Sequence, residues 1–304
     1  MAKRARSYRF EMPYHVDAPI LTDPAAGIDR LRLRAPNSRN TTTLTLLDTT
    51  DDRLSWAGVL LAHRTVGDTA HWLLRASDWQ PWLPAERIEP LNGDDELPED
   101  IAELLRPFRR RAPIGPVASI SVDRAAYQLL DRDDIELGQL LDDRVTVRRG
   151  GLAVARRREV TLEPGNDMTS AQRSLVADRL HAAGGMRVTE FTDPVERLAT
   201  LGQPVAVPAE PPADVDAEDF LAWSLSSQLF GVLRADLQVR AGEVADTALL
   251  TEALAQLADQ VRGLQSLVDP VWASELCWHI GRLADRPPSR HPRELGESYF
   301  DTLD

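Results

Sequence analysis

The chain is nearly without lysine: of its 35 basic residues, 34 are arginine and only Lys3 is lysine. That scarcity excludes a site built on a titratable ammonium within the body of the chain. It leaves planar, permanently charged donor forks in good supply. A single cysteine, Cys277, rules out an internal disulfide framework and any multi-thiolate metal centre. No apolar run approaches the ~18–20 residues of a membrane span. The opening Met1-Ala-Lys-Arg-Ala-Arg6 leads into Tyr8-Arg-Phe-Glu11 without the apolar stretch of a signal peptide. Positive charge is short overall, since 48 acidic residues against 35 basic ones give a net charge of −13. A general nucleic-acid or anionic-membrane binder is therefore not expected. The expectation is a cytoplasmic protein with no nucleic-acid and no membrane partner.

What is present divides into two parts. From Gln203 to the end there are 17 acidic residues and 7 arginines, a net of −10, against −3 for residues 1–202. Between them, Pro204, Pro208, Pro211 and Pro212 mark a semi-rigid, polyproline-like linker. The expected organisation is a first domain over residues 1–202, a linker over 203–217 and a second domain with its tail over 218–304.

The first part has the period of strands. Thr41–Leu47, Val59–Thr65, His71–Arg75, Val117–Val122, Arg144–Arg148 and Leu152–Arg156 alternate or are β-branched. Gly67-Asp68 and Gly150-Gly151 predict hairpin turns. Helices are predicted at Pro98–Phe108, acidic at its start and basic at its end, and at Ser170–Ala183 before Gly184-Gly185. The second part has the period of helices: Ala217–Val239, Thr247–Val268 and Trp272–Ala284 carry apolar residues three or four apart, as in a small antiparallel bundle. Asp285–Pro292 has the composition of an unstructured tail.

Leu47-Asp-Thr-Thr-Asp-Asp-Arg-Leu-Ser-Trp-Ala-Gly-Val-Leu-Leu-Ala-His-Arg-Thr65 resembles the CYTH, or triphosphate tunnel, family. Further motifs follow in that family's order: Trp72–Arg75, Arg87-Ile-Glu89, Pro116–Arg124, the Leu141-Asp-Asp-Arg-Val145 turn and Glu159–Leu162. The resemblance spans roughly residues 7–200. It implies an α+β fold with an antiparallel, eight-stranded, tunnel-like barrel and flanking helices. In such a tunnel, inward arginines bind a triphosphate and inward glutamates hold Mg²⁺ or Mn²⁺. Phe220–Arg240 and then Ala248–Asp269 resemble the start of a CHAD domain, a polyphosphate-binding helical bundle. Its signature helix falls on Leu249–Gln260, where every basic binding position is neutral or acidic.

The resemblance implies phosphate-binding roles for Arg64, Arg75, Arg87 and Arg124. It leaves only Glu11 and Glu159 as metal ligands, because the opening strand reads Arg9-Phe-Glu11-Met-Pro13 and the last reads Arg157-Arg-Glu159-Val-Thr161. Arg9 and Arg157 share strand faces with these glutamates. The expectation is that all four sit within salt-bridge reach, so that guanidinium neutralises what a metal neutralises elsewhere. Asp142 and Asp143 are expected to be turn and surface residues, His63 to point away from the lumen, and His279 with Cys277 to serve helix packing. Trp72, Trp79 and Trp82 are expected in the core or loops.

Two functional readings follow. One is a degenerate, non-catalytic binder of a phosphate-rich small anion, or a protein-interaction module, needing no cofactor. There the helical bundle, with Trp272, Trp278 and the 250–267 stripe, would be the surface for a partner or for homo-oligomers. The other is a Mg- or Mn-dependent triphosphatase acting on inorganic or nucleoside triphosphate.

Overall fold

The computed structural model describes residues 7–34, 41–91, 96–199, 214–244, 246–284 and 299. Most of the proline-rich linker, and the tail beyond 284 apart from Tyr299, lie outside the described residues.

The fold is α+β. Its strands are β1 (Tyr8–Met12), β2 (Arg30–Leu33), β3 (Thr41–Asp48), β4 (Leu60–Val66), β5 (Thr69–Arg75), β6 (Glu86–Pro90), β7 (Gly115–Leu130), β8 (Glu136–Arg149), β9 (Leu152–Pro164) and β10 (Met186–Val188). They form a ten-stranded sheet in the order β10-β1-β9-β8-β7-β3-β4-β5-β6, with β2 paired to β7. This corrects the expected closed eight-stranded barrel. Among the described residues β10 and β6 are end strands with one neighbour each, and the sheet is open. The two unforeseen strands are short. β2, Arg30-Leu-Arg-Leu33, and β10, Met186-Arg-Val188, are too brief to show a period of two, and pairing with longer neighbours creates them.

Two compact units divide the chain. The first comprises residues 1–46, 63–71 and 116–201, and the second residues 47–62, 72–115 and 202–304.

In the first unit, β7, β8 and β9 are long antiparallel strands joined by tight turns. Gly150 and Gly151 close the β8–β9 turn with φ of 55° and 80°, a region costly for side-chain-bearing residues. One face of the sheet is covered by helix α3 (Ser170–Ala182), whose start is fixed by a reciprocal capping box between Thr169 and Gln172. Phe10, Met12, Leu129, Leu140, Val160 and Leu162 pack there against Val176 and Leu180. Each such buried side chain contributes about 1.5–3 kcal/mol. A second helix, α4 (Pro194–Ala199), follows β10.

The second unit contains α1 (Arg53–Trp56), α2 (Glu99–Arg109), α5 (Ala217–Arg240), α6 (Ala248–Gly263) and α7 (Pro270–Ala284). Trp79 is wholly buried. It stacks on Phe230 at 5.2 Å, meets Phe108 edge-on, and donates its indole N–H to the Ala57 carbonyl at 2.7 Å. Trp72 is also core, as expected, while Trp82 is half-buried and donates to Glu243. The 250–267 stripe is mostly self-consumed: Leu250, Leu254, Leu257 and Val261 pack against Val232, Ala273 and Ile280. Cys277 packs at the same core and donates to the Ala258 carbonyl. Leu267, Trp272 and Trp278 remain exposed. No described helix is long and apolar enough to cross a membrane.

Asp48 shows how the chain turns after β3. Its buried carboxylate accepts from the backbone N–H of Thr49, Leu54 and Ser55 at 2.7–2.8 Å, which builds the first turn of α1. The Asp48-Thr49 pair is thus a structural cap.

Candidate functional site

The strand registers of the first unit put four charged residues in one row. Glu11 of β1 pairs with Glu159 of β9, Glu159 with Asp143 of β8, and Asp143 with Arg124 of β7. Residues directly opposed across strands project on the same face, with Cβ atoms about 4.5–5.5 Å apart. The row therefore holds three carboxylates side by side, ending in a guanidinium.

A cavity of about 510 Å³ opens over this row. Arg64, Arg124, Asp143, Glu159, Asp193 and Phe191 line it, with Thr42, Val66, Val122, Val145, Thr192 and Pro194. Arg124 grips Asp143 with both prongs, Nε to Oδ1 and Nη2 to Oδ2, each at 2.7 Å. That bond raises the Arg124 pKa above its usual value, outweighing burial. Glu159, only 8 % exposed at its side chain, forms an ion pair at 2.6 Å with Arg197, which is 11 % exposed. Burial pushes the Glu159 pKa up, and Asp143 and Glu11 push the same way, while Arg197 opposes them. Arg64 lines the cavity from β4 and, among the described residues, takes no hydrogen bond or ion pair.

Arg197 comes from α4, which closes one side of the cavity through the Phe191–Pro194 segment. Its placement is local in origin. Asp193 accepts from the Val195 N–H at 2.8 Å and Pro194 follows, the combination that starts helices.

The expected arginine–glutamate square is not what forms. Arg9 donates to the Thr189 carbonyl at 2.9 Å, and Arg157 is exposed on β9 opposite Val145. The reason is register. Arg9 lies opposite Thr161, and Arg157 lies one residue past the end of the β1 pairing, so neither faces a glutamate. The guanidinium that meets Glu159 arrives from a helix instead. The expectation for Asp142 and Asp143 is corrected too. Both lie buried in mid-strand rather than in a turn. Each is matched by a bidentate arginine on a neighbouring strand, Arg158 for Asp142 and Arg124 for Asp143, which makes burial tolerable.

The four arginines named from sequence divide between the units. Arg64 and Arg124 share the cavity of the first. Arg75 and Arg87 belong to the second, where Arg75 pairs with Glu86 at 3.0 Å. Arg87 bridges Asp100 at 2.6 Å and Glu89 at 2.8 Å, bonds that raise its pKa, with Asp100 the larger cause. His63, next to Arg64 on β4, is half-buried, and strand alternation turns it to the opposite face.

Glu11 and Glu159 are register neighbours, as a shared metal would need. Yet Glu159 and Asp143 are already engaged by fixed guanidinium, and among the described residues no group of three or more His, Cys, Asp or Glu is placed to hold a metal ion. The donor set of this row does not fit a resident divalent ion.

No family model and no curated protein matches the chain. Among solved structures it is similar to a candidate adenylate cyclase from Bacillus halodurans, at 16% identity over 56% of this chain and 96% of that one, with a TM-score of 0.28. It is also similar to a candidate adenylyl cyclase of Hippeastrum with a dominant triphosphatase activity, at 12% identity over 65% and 96% of the two chains and a TM-score of 0.30. A third likeness is to the inorganic triphosphatase NE1496, at 13% identity over 57% and 80%, with a TM-score of 0.22.

Proposed function

We propose that the first unit is a metal-independent, non-catalytic receptor for a small phosphate-rich anion such as triphosphate. The observation that carries the reading is the cavity itself, where Arg64 offers an uncommitted fork while the buried carboxylates behind it are neutralised by Arg124 and Arg197. A guanidinium fork matches phosphate oxygens two at a time. Hydrolysis would need a polarising ion or a free general base. Glu159 is tied to Arg197 and Asp143 to Arg124. The resemblance of the sequence to triphosphate tunnel proteins supports the same ligand class.

Titration calorimetry with inorganic triphosphate tests the reading. Arg64→Glu replaces an exposed lining cation with an anion and should weaken binding by at least about tenfold, which is ~1.4 kcal/mol. Equal binding by wild type and R64E sinks the assignment. A second reading is a triphosphatase whose divalent ion arrives with the substrate phosphates, with Glu11 the carboxylate of the row that no arginine grips among the described residues. Orthophosphate release with Mg²⁺ or Mn²⁺ that disappears in Glu159→Gln would establish it.

A further inference from the structure

Like charges directly opposed on neighbouring strands repel, and the Glu11–Glu159–Asp143 row places three together with one end deeply buried. Such a row needs counter-charge from somewhere. Arg124 supplies it to Asp143 from within the sheet, by a two-pronged grip that leaves no fork for Glu159. Arg197 supplies it to Glu159 from outside the sheet, on a helix whose start is set by Asp193 and Pro194. Three carboxylates against two guanidinium groups leave one negative charge. Without Arg197 the row would carry two, and Glu159 would be buried beside Glu11 with no ion pair of its own among the described residues, Arg124 being held by Asp143. Glu11 and Glu159, opposed across β1 and β9, would then be two uncompensated carboxylates, and a hard divalent ion can be held by one or two carboxylates with water completing its shell.

We propose that Arg197 is a built-in substitute for a divalent cation: it fills the charge requirement of the Glu11–Glu159–Asp143 row, and removing its charge creates a divalent-cation site there. Arg197 then determines ionic specificity, making the cavity closed to free Mg²⁺ or Mn²⁺ while leaving Arg64 for an anion. The inference deepens the receptor reading and rests on it for its biological sense. Its test uses cation without any phosphate, so either can fail alone.

The test is Mn²⁺ titration of the full chain as wild type, Arg197→Gln, Arg197→Lys and the double variant E159Q/R197Q. R197Q should bind one Mn²⁺ at least about tenfold more tightly than wild type or R197K, and E159Q/R197Q should lose the gain. Thermal melting reads the same event where R197Q is destabilised: Mn²⁺ should raise its midpoint and leave wild type and R197K unchanged. Equal Mn²⁺ binding by wild type and R197Q, an unreduced gain in the double variant, or no Mn²⁺ effect on R197Q overturns the proposal. Failure of triphosphate to bind wild type would instead overturn the receptor reading and leave this one standing.

Discussion

Asp142→Ala should destabilise the first unit by about 3–5 kcal/mol, the cost of leaving one member of a buried ion pair without its partner. The structure supplies the reasons. The Arg158 side chain is 2 % exposed and the Asp142 side chain 11 %. Arg158 spends Nε and Nη2 on the two Asp142 oxygens at 2.8 and 2.7 Å, and Nη1 on the Val16 carbonyl at 2.6 Å. Truncating the aspartate strands two donor groups of a guanidinium that cannot shed its charge. Replacing both partners with apolar residues of similar volume, as in D142L/R158M, should recover most of the loss, because two desolvated charges leave together. Urea denaturation followed by far-UV circular dichroism is the appropriate assay. Tryptophan fluorescence would miss the event, since Trp56, Trp72, Trp79, Trp82, Trp223, Trp272 and Trp278 all fall in the second unit. A loss below about 1 kcal/mol in D142A, the level of an exposed pair, would refute the reasoning. So would a double variant no more stable than the single one.

Three further outcomes follow from named contacts. Burial and neighbouring carboxylates raise the Glu159 pKa in the folded state, so between the ordinary glutamate range and that raised value the native protein binds more protons than the unfolded one. Stability should therefore fall as pH rises through this window in wild type, and the slope should flatten in E159Q when urea midpoints are measured across it; a steeper slope would contradict the assignment. Asp48→Ala leaves three backbone N–H groups without their acceptor, two of them in α1, and should cost at least about 2 kcal/mol by urea denaturation, given ~1–3 kcal/mol for a buried unsatisfied donor. Tyr299 is wholly buried and donates to Asp236 at 2.8 Å, while Arg240 pairs with both Asp236 and Glu103. Tyr299→Phe should cost about 1–3 kcal/mol, read by tryptophan fluorescence of the second unit, and no change would show the hydroxyl to be dispensable.

The parts of the fold legible in the sequence are those whose period survives in the structure. β3 buries Leu44 and Leu46 with Thr45 between them half-buried, and α6 repeats every three to four because one stripe faces a core. α5 is instead buried on two faces, Phe230, Leu233 and Leu237 in one cluster and Val232 and Ala235 in another. Closure of the sheet was not legible, because it depends on whether the end strands meet, and β2 and β10 are too short to announce themselves. Residues 47–62 and 72–115 cluster with the C-terminal helices, a long-range preference without a local signature. Arg64, Arg124 and Glu159, named from motif order, line one cavity. Arg197 carries no motif signal, although Asp193-Pro194 is a helix-start signal that places it on a short helix. Its meeting with Glu159 could not be read, because the two lie 38 positions apart and on different elements.

The central claim is that this cavity takes a phosphate-rich anion by guanidinium alone. Calorimetric titration of inorganic triphosphate into the wild-type chain in EDTA, repeated in excess Mg²⁺ with orthophosphate measured alongside, tests it most directly. Saturable binding in EDTA, within about twofold of that in Mg²⁺ and without orthophosphate release, is the predicted result. Binding that appears only with Mg²⁺ and is followed by steady orthophosphate release would contradict it.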